Sequence, residues 1–543
     1  MADIELTDFS LLFPDKATKE RDIREKAALH IDDFTLEELG LSEILPLKTA
    51  SLSEFITTDP DVIRYREAVF ADLLAHEEIT RTIGKLMPVL YDIMELRRLE
   101  VDSGDTADYL TGITEIELYI SSIDVLYEGL CREKHDYQSA ALCLLRDHIA
   151  KLVESEYYVD LNRRLEELTS RVREIKSVTV GVNLDAQLRP RDAGVLAINS
   201  EPFRSGDTLQ KILRLNLKND EYTCIAELVP FGKKQTENQK TALSLAFTSA
   251  INDVYRHSLR SWKKIVQAYV LENTDFLLGL LPEFEFLMKG TNLIRALTIK
   301  NGTLTVPEIL PAAQRAFTAT GFYNPAVALK TDGAMVKNDI DFDENAGIYV
   351  LSGPNRGGKS VVTCAVGIIQ AMAQLGLPVP ADKAAVSPVD AIFTHFPTGA
   401  DDTIDKGRLG EECARLGEIF DAISDQSLVL LDETLSSTGS FEASYIAAEV
   451  LAGLSMAKCR AIFSTHLHEL AGEIDAINAR TVPKGGAPID TLVAGIEEEG
   501  RRSFRIWRTK PDGKSYARDI AVKYGLTYDN ILQKLSKNTE TEV

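Results

Sequence analysis

The stretch Gly353-Pro354-Asn355-Arg356-Gly357-Gly358-Lys359-Ser360 constrains this chain more than any other. Ahead of it, Gly347 to Ser352 is a short, mostly apolar run containing Ile348 and Val350, which predicts a buried strand. Behind it, Val361 to Ala373 is rich in apolar residues, with Gly367 as its one glycine and no proline, which predicts a helix. Strand, glycine loop and helix in that order form the context of a phosphate-binding loop. Glycines let the backbone approach phosphates, and N–H groups at a helix start meet negative charge. On this reading Gly353, Pro354, Asn355, Arg356, Gly357 and Gly358 cradle the phosphates and Lys359 reaches the β- and γ-phosphates. The Ser360 hydroxyl then holds Mg²⁺. The expected ligand is a nucleoside triphosphate.

At 543 residues the chain exceeds what one core supports, and length alone suggests roughly three or four domains. No apolar run approaches the ~20 residues of a membrane span. The acidic start, Met1-Ala2-Asp3-Ile4-Glu5, lacks the basic and apolar regions of a signal peptide, so the expected location is the cytoplasm with no membrane partner. The six cysteines (Cys131, Cys143, Cys224, Cys364, Cys413 and Cys459) include no C-x-x-C pair and are expected to be reduced core residues. A net charge of −23 opposes simple electrostatic attachment to nucleic acid, yet leaves room for a local basic surface.

Residues 1–60 mix short apolar runs with turn signals and form an N-terminal segment. Thr58-Asp59-Pro60 marks a helix start, and Val62, Tyr65, Val69 and Leu73 form one apolar row behind it. Further helices are predicted over Glu77–Leu99, Asp108–Cys131 and a long Tyr137–Lys176. The charges along that last helix are those of a solvated face. Near Val178 the period changes to short alternating segments, which predicts a small β-rich insertion at about 177–230. Residues 176–240 hold ten Lys/Arg against eight Asp/Glu, against the acidic balance of the whole. The cluster Pro230-Phe231-Gly232-Lys233-Lys234 fits phosphate contact and an ordinary solvated loop equally well. A second helical stretch runs from Thr236 to Gly279, after which Leu281-Pro282 and Gly290 are expected to interrupt the pattern. Residues 61–325 thus form a helical core with paired levers carrying a β-rich tip. Pro307, Pro311, Gly321 and Pro325 mark the boundary to an α/β region, 326–543.

Within that region Ser427-Leu428-Val429-Leu430-Leu431-Asp432-Glu433 is an apolar strand ending in two carboxylates. Asp432 is placed to hold Mg²⁺ through water, and Glu433 to orient or deprotonate an attacking water. A third strand, Ala461 to Thr465, ends at His466, whose imidazole can report a γ-phosphate.

The set GPNxGGKS, VPA, SPVDxIFT, SLVLLDE and FSTHxHEL resembles the ATPase domain of the MutS mismatch-repair family, as does Asn338-Asp339 ahead of the loop. The likeness is strong over 325–535 and architectural over the helices before it. It implies an α+β multidomain chain whose helical core and levers precede a C-terminal α/β P-loop ATPase domain of the ABC type. It implies ATP and Mg²⁺ as cofactors, with Asn338, Asn355, Gly358, Lys359 and Ser360 at the nucleotide. Asp432 and Glu433 then take metal and water, and His466 senses the γ-phosphate. It also implies a homodimer in which each site is completed by the other subunit, through a signature segment at Gly407–Glu412, and a packing role for Pro511–Ala517. The insertion sits where the family carries a clamp. The chain departs from the family in the loop Thr434–Ser440, which lacks the usual glycines and arginine, and in the absence of a mismatch-reading wedge domain and a nuclease-like extension. The function expected is an ATPase that binds duplex or branched DNA as a dimeric clamp or structure sensor without wedge-type mismatch reading. The other reading, favoured by the acidic charge, is an ATP-switched module binding protein or ribonucleoprotein.

Overall fold

A computed structural model describes residues 9–103, 109–132, 136–173, 176–187, 190–202, 204–205, 223–224, 274–332, 335–354, 357–396, 407–435, 438–467, 470–496, 502–509, 527–528 and 530–531. The basic cluster at Pro230–Lys234, most of the stretch Thr236–Gly279, Asn355, Arg356 and Pro511–Ala517 lie outside them. The chain is α+β and forms two compact units that do not follow chain order. One comprises residues 1–9, 76–137 and 142–284, and the other 10–75, 138–141 and 285–543.

In the first unit the helix Glu77–Ser103 buries Ile79, Ile83, Leu86, Leu90 and Ile93, spaced by four and three residues along one face. It packs antiparallel on Tyr109–Leu130, which buries Ile116, Ile120, Ile123, Leu126 and Leu130. The expected long helix after Tyr137 is two helices, Ala140–Glu154 and Glu156–Arg173. Ser155 makes the break: its hydroxyl donates to the Leu152 carbonyl at 2.6 Å and accepts from the Tyr158 amide at 3.2 Å, capping both ends. The β-rich insertion begins as an antiparallel hairpin of β1 (Ser177–Leu184) and β2 (Pro190–Asn199) with two bulges. The short strands β3 (Arg204–Ser205) and β4 (Thr223–Cys224) pair in parallel.

The second unit is built on two sheets. Its strands are β5 (Glu308–Ile309), β6 (Phe317–Phe322), β7 (Asn338–Phe342), β8 (Ile348–Ser352), β9 (Lys383–Val386), β10 (Ile392–His395), β11 (Leu428–Asp432), β12 (Arg460–Ser464), β13 (Ile489–Ile496) and β14 (Arg502–Arg508). Six of them form a sheet in the order β10-β11-β12-β8-β13-β14, parallel except for the antiparallel edge β14. The other four form the order β5-β9-β6-β7. Every residue of β8, β11 and β12 is buried, which is why these segments are near-continuous apolar runs. In β7, by contrast, Asn338, Ile340 and Phe342 are buried while Asp339 and Asp341 face outward.

Residues 10–75 are integral to this unit. His30 accepts from the Ile392 amide at 3.1 Å and donates to Asp390 at 2.9 Å, and the Thr57 amide donates to the Gln374 carbonyl at 3.1 Å. Glu38 accepts from Arg415 at 2.8 Å and from the Thr394 hydroxyl at 2.5 Å. Arg66, fully buried in the helix Pro60–Ala75, donates to the carbonyls of Phe55 and Leu12 and lies over the Phe13 ring.

The interruptions expected at Pro282 and Gly290 do not occur, because residues 274–299 are one helix. Gly290 has a packing reason instead: a Cβ there meets the Phe70 ring at 2.7 Å and Leu377 at 2.8 Å. Gly290→Val is therefore expected to destabilise this unit by about 1–3 kcal/mol through overpacking. Urea unfolding with an unchanged midpoint would remove this account of the glycine.

Candidate functional site

The glycine loop leaves the carboxyl end of β8, a strand paired on both sides, and enters the helix Lys359–Leu375. Two glycines are dictated by backbone geometry. Gly353 has φ 146° and a Cβ there falls 2.7 Å from the Ala494 side chain, and Gly358 turns into the helix with φ 92°. Lys359 is 4% exposed, and its ammonium donates to the carbonyls of Gly353 at 3.2 Å and Pro354 at 3.4 Å. It also lies 3.9 Å from a Glu433 carboxylate oxygen.

Asp432 ends β11 opposite Ser464, the last residue of β12. Both are buried, and among the described residues the Asp432 Oδ1 and the Ser464 Oγ have no hydrogen-bond partner. A buried carboxylate oxygen without a donor is costly and suits a cation or a metal-bound water. The chain then turns through left-handed residues, Glu433 at φ 48° and Leu435 at φ 67°. Such conformations in non-glycine residues store strain and gather at functional sites. The Glu433 amide donates to the Ser464 carbonyl at 2.8 Å, which holds the turn in place.

A cavity of ≈ 540 Å³ opens beside the loop, and Asn338, Gly357, Gly358, Lys359, Ser360 and Glu433 all line it. The structure thus brings together six of the residues singled out in the sequence. Gly353, Pro354, Asp432 and His466 are described but do not line the cavity, and His466 is an exposed side chain just beyond β12. The Arg408 side chain lies outside the described ones, although the helix Gly407–Ala422 is present.

Asn338, which lines the cavity, also holds β14 in place. Its side chain accepts from the Ile506 amide at 2.8 Å and donates to the Phe504 carbonyl at 3.3 Å, so both ends of the amide grip β14. Between those contacts Phe504 adopts φ 56° and places its ring 3.3 Å from the Cβ position of Gly358. Phe322, Tyr323 and Phe504, which the sequence reading did not single out, give the cavity an aromatic wall, to which Asn324 adds a polar residue. The signal for Asn324 was available: Asn324-Pro325 is a cap followed by a first-turn proline, and the side chain accepts from the Ala326 amide at 3.0 Å. His395, also missed, contacts the Thr434 hydroxyl at 3.3 Å, and burial with Arg415 nearby pushes its pKa down to about 4. It is neutral at physiological pH and packs against the turn that carries Glu433. Burial, together with the Asp432 charge, pushes the Cys364 thiol up to about 12, so it is no nucleophile.

Among the described residues there is no cluster of three or more His, Cys, Asp or Glu that could hold a metal by themselves, and no helix long and apolar enough to cross a membrane. A cation at this site would therefore depend on oxygens from a ligand or water as well as on Asp432 and Ser360.

A sequence model of the family described as MutS domain V matches residues 349–483, and one described as the MutS2 N-terminal domain matches 58–299. The DNA mismatch repair protein MutS of Prochlorococcus marinus (strain MIT 9312) is 38% identical over 149 residues, 27% of this chain and 16% of that protein. That of Roseiflexus castenholzii is 33% identical over 214 residues, 38% of this chain and 19% of that protein. The like-named protein of Methanothrix thermoacetophila is 27% identical across 93% of this chain and 70% of its own length. The chain therefore spans less than a fifth of the length of the first two of these relatives.

Proposed function

Because this chain belongs to the MutS family, we propose that it is an ATP-dependent DNA-binding protein that hydrolyses ATP as a homodimer joined through residues 326–543. The observation that carries this reading is the convergence of Gly357, Gly358, Lys359, Ser360 and Glu433 on one cavity, next in sequence to a buried Asp432 oxygen without a partner among the described residues. On this reading residues 326–543 form a P-loop ATPase domain of the ABC type, and 61–325 form the levers with a clamp-like insertion at 177–230. The Lys359 ammonium exchanges the carbonyls of Gly353 and Pro354 for phosphate oxygens, a stronger charge-assisted contact. Ser360 and Asp432 would hold Mg²⁺, which supplies neutralisation of phosphate charge. Glu433 orients the attacking water, and His466 senses the γ-phosphate. The apolar wall with Phe322, Tyr323 and Phe504 suits a planar base.

DNA binding is tested by its salt dependence. If Lys and Arg side chains of the insertion grip phosphates, log affinity should fall with log salt by about 0.9 per phosphate contact. Titration of homoduplex, mismatched and branched DNA, with and without ATP, should show that slope. No binding to any of the three at low salt would favour a protein- or ribonucleoprotein-binding module, a reading consistent with the net charge of −23.

A further inference from the structure

At the opposite end of the six-stranded sheet, where β8 and β12 begin, a second cavity of ≈ 500 Å³ shares no lining residue with the first. Arg460, the first residue of β12, lines it and is 3% exposed. Its guanidinium donates to the Ala316 carbonyl at 2.8 Å and the Ser387 carbonyl at 3.4 Å, and its Nε–H has no partner among the described residues. Among the described residues no carboxylate forms an ion pair with it. Asp390, whose charge it feels, has its own carboxylate occupied by the hydroxyls of Ser424 and Ser427. Burial, with Arg315 adding like-charge repulsion, pushes the Arg460 pKa down to about 10, the direction expected of a guanidinium lacking a counter-ion.

Two more cations line the same cavity. Lys458 ends the helix Ser440–Ala457 in a left-handed turn, φ 61°, and its exposed ammonium makes no ion pair among the described residues. Arg315 is also left-handed, φ 51°, donates to the Lys458 carbonyl at 3.5 Å, and has Asp425 at 3.5 Å as its one charged partner among the described residues. Of the two acids in the lining, Asp343 is taken by Arg508 at 2.8 Å, which leaves the exposed Glu344. The amides of Gly347, Gly485, Gly486 and Ala487 already donate to backbone carbonyls, so recognition in this cavity falls to side chains.

We propose that this cavity binds a small phosphate-bearing molecule, with the phosphate dianion seated among Arg460, Arg315 and Lys458. Arg460 contributes unneutralised positive charge behind the cavity wall, its Nε–H having no exposed surface, while the Arg315 guanidinium and the Lys458 ammonium offer the charge-assisted donors that oxyanions prefer; the bound anion supplies the counter-charge the fold omits. The volume lies in the range of small-molecule sites and leaves room for an organic part beside the phosphate.

The test is calorimetric titration and thermal unfolding of the full chain with inorganic phosphate and with glycerol phosphate, against chloride at matched ionic strength. Both probes are run on a Lys359→Ala background, so that the glycine loop cannot account for binding. Binding should persist on that background, weaken at least about tenfold in Arg315→Ala and in Lys458→Ala, and vanish in the double variant. Arg315 and Lys458 are partly and fully exposed, so folding should be retained in their variants, and Arg460→Lys should bind more weakly than the unaltered cavity. Absence of phosphate binding on the Lys359→Ala background, or binding unchanged in the double variant, would overturn the proposal. Neither result bears on ATP, which is read separately at Lys359.

Discussion

Lys359→Ala is expected to weaken ATP binding at least about 100-fold, the effect of removing a buried cation from a phosphate contact. The ammonium lies between the Gly353 and Pro354 carbonyls and the Glu433 carboxylate, at the floor of a cavity that Ser360 also lines. Its removal also leaves two loop carbonyls without their donor, so Lys359→Met, which keeps most of the volume, is the companion variant. Fluorescent ATP-analogue titration measures the affinity, and thermal unfolding verifies that the loop still belongs to a folded unit. An affinity unchanged in both folded variants would sink the phosphate-loop reading.

Glu433→Gln is expected to keep ATP affinity within a few-fold while slowing hydrolysis by about 10²–10⁴, the usual range for losing a general base. The substitution suits the question because Gln preserves size and chain length at a position whose backbone is left-handed, φ 48°. Only the charge 3.9 Å from Lys359 disappears. Single-turnover hydrolysis is the measurement, and a rate within a few-fold of the unaltered protein would remove Glu433 from the mechanism. If the paired-site reading holds, the ATP-bound variant should also accumulate as a dimer in size-exclusion chromatography with light scattering.

The parts of this site that were legible in the sequence are those in which a local rule and the tertiary fold agree. An apolar run before Gly353 and one before Asp432 announce buried parallel strands, and the carboxylate falls where such a strand must end. The misreadings have a common cause: a local signal was overruled by a distant neighbour. Gly290 looks like a helix breaker but is a close-approach point for Phe70 and Leu377, residues far away in the chain. Ser155 is one polar residue in a long charged stretch, and only its two backbone contacts show that it divides the helix. Asn338 was legible as a site residue, but not its grip on β14, because Phe504 and Ile506 lie more than 160 residues further on. The second cavity was not legible at all. Its cations come from separate segments that crossing strands and a left-handed helix end bring together.

The placement of residues 10–75 has a consequence for how the chain is made. Gln374, which bonds Thr57, leaves the ribosome about 300 residues after Ala75, with the segments 76–137 and 142–284 synthesised in between. At typical elongation rates that interval is roughly 15–60 s, during which Leu39 and Arg66 lack Gly367 and Gly376, against which they pack in the folded unit. Early apolar residues waiting for late strands raise contact order and lengthen exposure of the nascent chain. Nascent-chain arrest before β8 should therefore leave the first 75 residues open to chaperones and proteases.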